Sequence, residues 1–454
     1  MIISALENRA PVSSRGRAVE QLARPSVQVM GLRILGAGTA LAAQVFASRV
    51  TGSEEFGRYA LVLVYLLLLG HSGTMGTAQL VCRLLAEYVQ RGQPGPAHGL
   101  LRFALACTLL VSIGLYGLAA AALHTPILAI DPSYVPLASL VLLGIPLLAL
   151  QDFLEAVARG LDRPTLGIGP AFIVRHLAII VGLGAVVGLG QAAGAATIAC
   201  FTLAGLLASV LIQAALLARH LARIVGHAAP VYHIRSWLRT SLPLAGVDAA
   251  EVLFFNADIL ILGLFLPPES VALYFAASRL AQLLAYVPYS VTAVTAQKYA
   301  ALAAAGDTPA LQALVRRSAR LSSAFALLAA LALWMISPAL LSLFGPDYGA
   351  AGFLVPVLCL GIVLACLFGP GEDVLSMLGE ERLCALGFWM ALAVNIAAGL
   401  CLVPHLGPLG AAIAMGAGLA VRGVLLAWFA FRRLGLLLPV FLPLGRRNRE
   451  GLAQ

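Results

Sequence analysis

Charge is what this sequence has least of. Asp, Glu, Lys and Arg together make up 11% of its 454 residues, where water-exposed domains need roughly a quarter. Its 20 Asp and Glu could not clothe the several soluble domains that a chain of this length would otherwise hold. Three further absences narrow the chemistry. No GxxxxGK[ST] phosphate loop occurs, which argues against ATP as a driving force. Cys82, Cys107, Cys200, Cys359, Cys366, Cys384 and Cys401 show no CxxC or comparable spacing, and His220, His227 and His233 lack the i, i+4 spacing of a helix metal site. No metal centre or cofactor is therefore expected. No connection between apolar runs is long enough to hold sugars outside a membrane, which argues against a polymerase or glycosyltransferase.

What is present is apolar: 61% hydrophobic residues and a mean hydropathy of +0.95. At roughly 20 apolar residues per spanning helix, the runs predict an all-α polytopic membrane protein with about 12 transmembrane helices. Six spans fall near 30 to 50, 57 to 80, 99 to 123, 135 to 158, 165 to 190 and 194 to 218. Six more fall near 241 to 266, 271 to 297, 319 to 344, 352 to 378, 383 to 403 and 409 to 431. The expected organisation is an N-terminal tail over 1–29, an N-lobe over 30–218, a linker over 219–240, a C-lobe over 241–431 and a C-terminal tail over 432–454. The first tail carries Glu7, Arg9, Arg15, Arg17, Glu20 and Arg24 with no continuous apolar core, so it reads as cytoplasmic rather than as a signal.

The net charge of +9 is a topology signal, not a nucleic-acid footprint. Arg83, Arg91 and Arg102, then Arg159 and Arg163, then Arg219, Arg223, Arg235 and Arg239 fall in alternate connections. Arg316, Arg317, Arg320 and Arg382 continue the series, with Arg432, Arg433, Arg446, Arg447 and Arg449 in the C-terminal tail. The opposite connections hold Glu54, Glu55, Asp131, Glu269 and Asp347, with Arg49 and Arg58 as the basic exceptions. By the positive-inside rule both termini and the linker are cytoplasmic.

The two sets of spans read as copies offset by about 215 residues. Glu54 and Tyr59 answer to Glu269 and Tyr274, Tyr134 to Tyr348, and GQAAGAA ending at Ala196 to GPLGAA ending at Ala412. Repeats of six spans share one orientation, so two six-helix lobes around a central cleft are expected.

The turns TGSEEFGRYALV, PPESVALYFAASRLAQLL, FGPDYGAAGFLVPVL and LGEERL resemble those of the polysaccharide flippases of the multidrug/oligosaccharidyl-lipid/polysaccharide exporter superfamily, over about residues 30 to 431. The resemblance implies an alternating-access exporter in a bacterial inner membrane. It would move a lipid-linked oligosaccharide, usually an undecaprenyl-pyrophosphate glycan, to the outer leaflet for lipopolysaccharide or exopolysaccharide synthesis. A proton or sodium gradient would drive it, and a polysaccharide polymerase or export machinery would take its product. A multidrug/cation antiporter of the same superfamily is the alternative.

Intramembrane charges mark candidate sites, because each costs roughly 3 kcal/mol or more unless paired or wet. At about 100° per residue, Asp248, Glu251 and Asp258 lie within an arc of roughly 80°. Three carboxylates on one face cannot all ionise cheaply, so an ion-coupling site is expected there. Arg279, Gln282, Tyr286 and Tyr289 share a face that suits a glycan pyrophosphate: Arg for phosphate oxygens, Tyr for sugar rings. Arg175 and Arg422 lie too deep to snorkel and are expected to face the cleft or a carboxylate, while Arg33 lies nearer its span end. Asp152, Glu155 and Arg159 have the spacing of a local salt-bridge cluster. Gly369, Pro370 and Gly371 predict a helix break before Glu372 and Asp373. Gly70, His71, Ser72 and Gly73 resemble the GxSG of rhomboid-type intramembrane proteases. Those enzymes need a His on another span, and His176 is the sole deep one outside the motif, so no enzyme is expected.

Overall fold

Backbone crossing hydrocarbon must satisfy its own hydrogen bonds, and helices do so within a single segment. The computed structural model describes residues 12–125, 131–226 and 228–441, which form helices and short 3-10 turns without a strand. In chain order the helices are α1 (Val12–Ser72), α2 (Thr77–Gln90), α3 (Pro94–Leu123), α4 (Val135–Leu142), α5 (Gly144–Gly160), α6 (Pro164–Gly188), α7 (Ala195–Val225) and α8 (Ile234–Phe254). They continue with α9 (Ala257–Phe265), α10 (Pro268–Gln282), α11 (Tyr286–Ala304), α12 (Thr308–Ser342), α13 (Leu354–Leu367), α14 (Gly371–Met377), α15 (Glu381–Leu406) and α16 (Pro408–Leu434).

Ten segments among the described residues are long and apolar enough to cross a membrane. One of them contains two spans. At Gly52 the backbone of α1 leaves the helix with φ 83° and ψ 170°. Gly36 packs on Phe172 and Gly70 on Leu148, residues at similar depth on the neighbouring α6 and α5. In a straight helix Gly36 and Gly70 would stand about 50 Å apart at 1.5 Å per residue, so the chain reverses between them. Another span is α8 with α9, interrupted at Phe255 and Asn256. The fold is thus a bundle of about twelve transmembrane helices. A 3-10 turn at Pro132–Tyr134 and another at Pro346–Phe353 stand at the places where the repeat aligns Tyr134 with Tyr348.

The cores show how the two lobes meet. At the end holding Gly52, Pro268 and Tyr348, one hydrophobic cluster runs through both lobes, including Phe56, Ile145 and Leu183 with Phe275, Phe344 and Val403. Phe56 stacks edge-on to Phe275 at 5.8 Å and lies 6.3 Å from Phe344. Ser48 Oγ donates to Tyr348 Oη across the seam at 2.7 Å. At the arginine-bearing end the cores are separate: Leu80, Leu100, Phe153 and Leu217 in one lobe, Tyr299, Leu311, Val374 and Leu438 in the other. Two lobes joined at one end and divided at the other enclose a cleft that opens toward the arginines.

The two basic exceptions to the arginine pattern have structural uses. Arg49 donates to the Leu343 and Ser342 carbonyls at the end of α12, at 2.6 and 3.0 Å. Arg58 pairs with Glu54 and Glu55 at 2.6 and 3.3 Å. Of the expected tails, residues 12–29 continue α1 as helix. After α16 the chain folds back as a strap: Leu436 and Leu438 are buried, Leu437 exchanges two hydrogen bonds with Gln312, and Val440 N–H reaches Leu367 O. Glu7, Arg9, His227, Arg446, Arg447 and Arg449 lie outside the described residues.

Candidate functional site

The closed end of the cleft is built around the aligned tyrosines. Tyr59 shares a 2.8 Å hydrogen bond with Thr202 on α7, and Tyr274 donates to Asp258 at the start of α9. Asp258 also takes the Ile259 N–H at 2.9 Å. Arg279 follows on α10, its guanidinium carbon 4.3 Å from the Phe275 ring centroid and its Nη1 donating to Gln282 at 2.8 Å. Its Nε and Nη2 are buried without an acceptor among the described residues. A buried donor left without a partner is costly, more so when charged. Arg279 is within electrostatic range of Asp258 and of Arg175, which α6 brings from the other lobe. Among the described residues no carboxylate lies within 4.0 Å of the Arg279 or Arg175 guanidinium.

The expected stripe from Arg279 to Tyr289 is divided. A 3-10 turn at Leu283–Ala285 breaks the helical phase, so Arg279 and Gln282 remain together while Tyr286 and Tyr289 group with Arg33. Arg33 sits over the Tyr289 ring at 5.2 Å, and its Nε is buried without an acceptor among the described residues. The chain thus offers two groups of guanidinium and aromatic residues, one deep and one nearer the opening.

The acidic stripe is also divided, and this corrects the periodicity argument. The break at Phe255 and Asn256 separates Asp258 from Asp248 and Glu251, so one arc cannot hold all three. Asp258 is buried against Tyr274, whereas Asp248 is half-buried and Glu251 exposed. The local cluster is half as expected: Glu155 pairs with Arg159 at 3.9 Å, but Asp152 turns to His71, with Nδ1 and Oδ2 2.5 Å apart. Arg422 meets a carboxylate, Glu372, at 2.9 Å and covers the Phe388 ring at 4.5 Å. The break before Glu372 is present, with Gly369 at φ +87°, and Asp373 accepts from Thr292 at 2.7 Å.

Ser72 gains no catalytic partner among these groups. His71 is engaged with Asp152, and His176 Nδ1 lies 2.7 Å from the Phe172 carbonyl. Residue reading therefore missed His71, Asp152 and Glu372 as parts of the charged lining. Their signal was present, since each is a charged or titratable residue in or beside a span. The partners were illegible because they lie 81 and 50 residues apart.

The polysaccharide biosynthesis protein profile matches residues 28–295, and the MatE profile matches residues 243–405. No curated protein sequence matches the chain. Among solved structures it is similar to an inward-facing multidrug resistance MATE family transporter of the MOP superfamily, at TM-score 0.75 and 14% identity over 90% of this chain and 98% of that one. It is also similar to the lipid II flippase MurJ in an inward closed conformation, at TM-score 0.69 and 14% identity over 88% and 87%. A third likeness is to a MOP superfamily transporter from Pyrococcus furiosus described by a binding pocket of reverse polarity, at TM-score 0.64 and 15% identity over 92% and 95%. At these identities the likeness is one of fold.

Proposed function

The chain belongs to the polysaccharide biosynthesis protein family of the multidrug/oligosaccharidyl-lipid/polysaccharide exporter superfamily, and from that premise we propose that it flips a polyprenyl-pyrophosphate-linked oligosaccharide across a bacterial inner membrane. The observation that carries this reading is Arg279, charged, half-buried and holding two buried donor atoms unmatched among the described residues, with Arg175 in the other lobe within electrostatic range. A pyrophosphate supplies both the negative charge and the oxygen acceptors that such donors need. Arg33, Tyr286 and Tyr289, nearer the opening, would meet the glycolipid first, with Tyr faces for its sugars. Arg422 enters as a shared ligand at most, because Glu372 already neutralises it.

The positive-inside rule makes the open, arginine-bearing end cytoplasmic, and with it both termini. The substrate then enters from the inner leaflet, and lobes over 30–218 and 241–431, joined by the 219–240 linker, rock against each other to release it outside. An ion gradient supplies the drive.

Arg279→Gln removes the charge, and the expected outcome is normal membrane abundance with at least tenfold less surface glycan and precursor accumulating on the cytoplasmic face. Arg279→Lys keeps the charge but loses the bidentate fork, so partial export is expected. Normal export by Arg279→Gln, or loss explained by missing protein, overturns the assignment. A multidrug/cation antiporter is the second reading, favoured by the exposed carboxylate of Glu251 beside Asp248. It predicts that Arg279→Gln leaves cation efflux intact while Glu251→Gln abolishes it.

A further inference from the structure

His71 occupies the last turn of α1, directly before the Gly73–Gly76 connection, and Asp152 lies in the middle of α5. Their 2.5 Å contact joins the second and fourth spans of one lobe. The side chains are 36% and 20% exposed, so water in the cleft has access to them. Charged groups face the pair from each element around it. Glu155 stands on α5, Arg175 on α6, and Asp248 and Glu251 on α8. Arg159 of α5 and Gln79 of α2 stand beside Asp248, and Glu372 of α14 and Arg422 of α16 face Glu251.

α8 comes this close because Gly76 permits it. With φ at +71°, Gly76 lies so near α8 that a Cβ would be 2.3 Å from Ser241 O and 2.6 Å from Ala245 N. The connection that follows His71 therefore touches the helix that carries Asp248 and Glu251. Here a change of one charge in one lobe acts directly on the acids of a helix that continues into the other.

We propose that His71 and Asp152 form the proton-carrying site of this transporter, and that Asp248 and Glu251 relay its charge to the C-lobe. The assignment rests on reading the chain as an ion-driven transporter. The donor set selects the ion: hard cations take several oxygen ligands, whereas this carboxylate is occupied by an imidazole, the side chain that gains and loses a proton near neutral pH. Without the extra proton the pair carries one negative charge and repels Asp248 and Glu251; with it the pair is neutral and tolerates them. Proton uptake thus draws the part of α8 that carries Asp248 and Glu251 toward the pair, and release pushes it away, while the Trp237 end of α8 stays fixed in the N-lobe.

The test uses the full chain in nanodiscs, on a background without native cysteines, with spin labels on Arg91→Cys and Asp307→Cys, exposed positions at the arginine-bearing ends of the two lobes. No glycolipid is added, so the outcome is independent of whether a glycan is the cargo. The population with the shorter separation is expected to grow as pH falls from about 8 to about 5.5, the range in which imidazoles titrate. His71→Gln and Asp152→Asn should flatten that response, and Asp248→Asn should reduce its amplitude. An unchanged response in the first two variants, no response in the parent, or a response to sodium in place of pH overturns the proposal. Diethylpyrocarbonate modification, mapped to His71 by mass spectrometry, gives a reading with both native residues in place. His71 should react through a single pH transition that moves in Asp152→Asn, and reaction without a transition overturns the proposal equally.

Discussion

At Gly57 the lobes approach as closely as backbone permits: a Cβ would stand 1.8 Å from the Pro268 carbonyl oxygen. A backbone oxygen has no rotamer by which to yield, so Gly57→Ala must part the seam or strain it, at about 2 kcal/mol. The expected result is a lower melting temperature in detergent. Gly31→Ala, at a helical position with nothing within 4 Å, should not lower melting. Equal melting of the two variants would contradict the close approach. At this scale the sequence is informative about which residues matter and silent about whom they meet. Arg175, Arg279 and Asp258 stand out from an apolar background because charge in a span is costly. Asp152 had Arg159 within two turns and still chose His71, because helix packing rather than spacing sets the distance.

Helix breaks decide which of those residues act together. Gly52 and Gly369 mark two of them, both at positive φ. The breaks at Phe255–Asn256 and Leu283–Ala285 contain neither Gly nor Pro, so the 100° arithmetic ran straight through them and produced two stripes that the fold divides. The 3-10 turn at Pro346–Phe353 matters differently, because it presents Tyr348 to Ser48 of the first span. Tyr348→Phe removes the acceptor, a loss of about 1 kcal/mol or about fivefold in the ratio of closed to open seam. Phe56→Ala should cost about 3 kcal/mol by emptying the aromatic cluster. Distances between spin labels at Glu54 and Asp347 would read both. Broadening in the order Phe56→Ala, then Tyr348→Phe, then parent is expected, and identical distributions would show that the seam is held elsewhere.

For the whole molecule, span number and the two lobes were legible, since apolar runs and the 215-residue repeat are long-range averages that single breaks do not disturb. The proposed orientation rests on arginine placement, and it has a direct test. On a background without native cysteines, an impermeant thiol reagent outside sealed cells should label cysteines at Glu54, Pro268 and Asp347 and spare those at Arg91, Gly226 and Asp307. Labelling of the second set would invert the topology. The fastenings of the two halves carry a mechanical consequence. Val231 N–H is bonded to Gly95 O at 3.0 Å and Trp237 to Tyr88 at 3.3 Å, so the connecting segment is tied down on the first half. The strap beyond α16 ties down the second half in the same manner. Each half then acts as a beam with the segment that follows its last long helix lashed back onto it, and torque applied at one end carries to the other. Trp237 of α8 is embedded in one beam and Phe254 in the other, which makes α8 the torsion bar: the member that must twist whenever the beams turn.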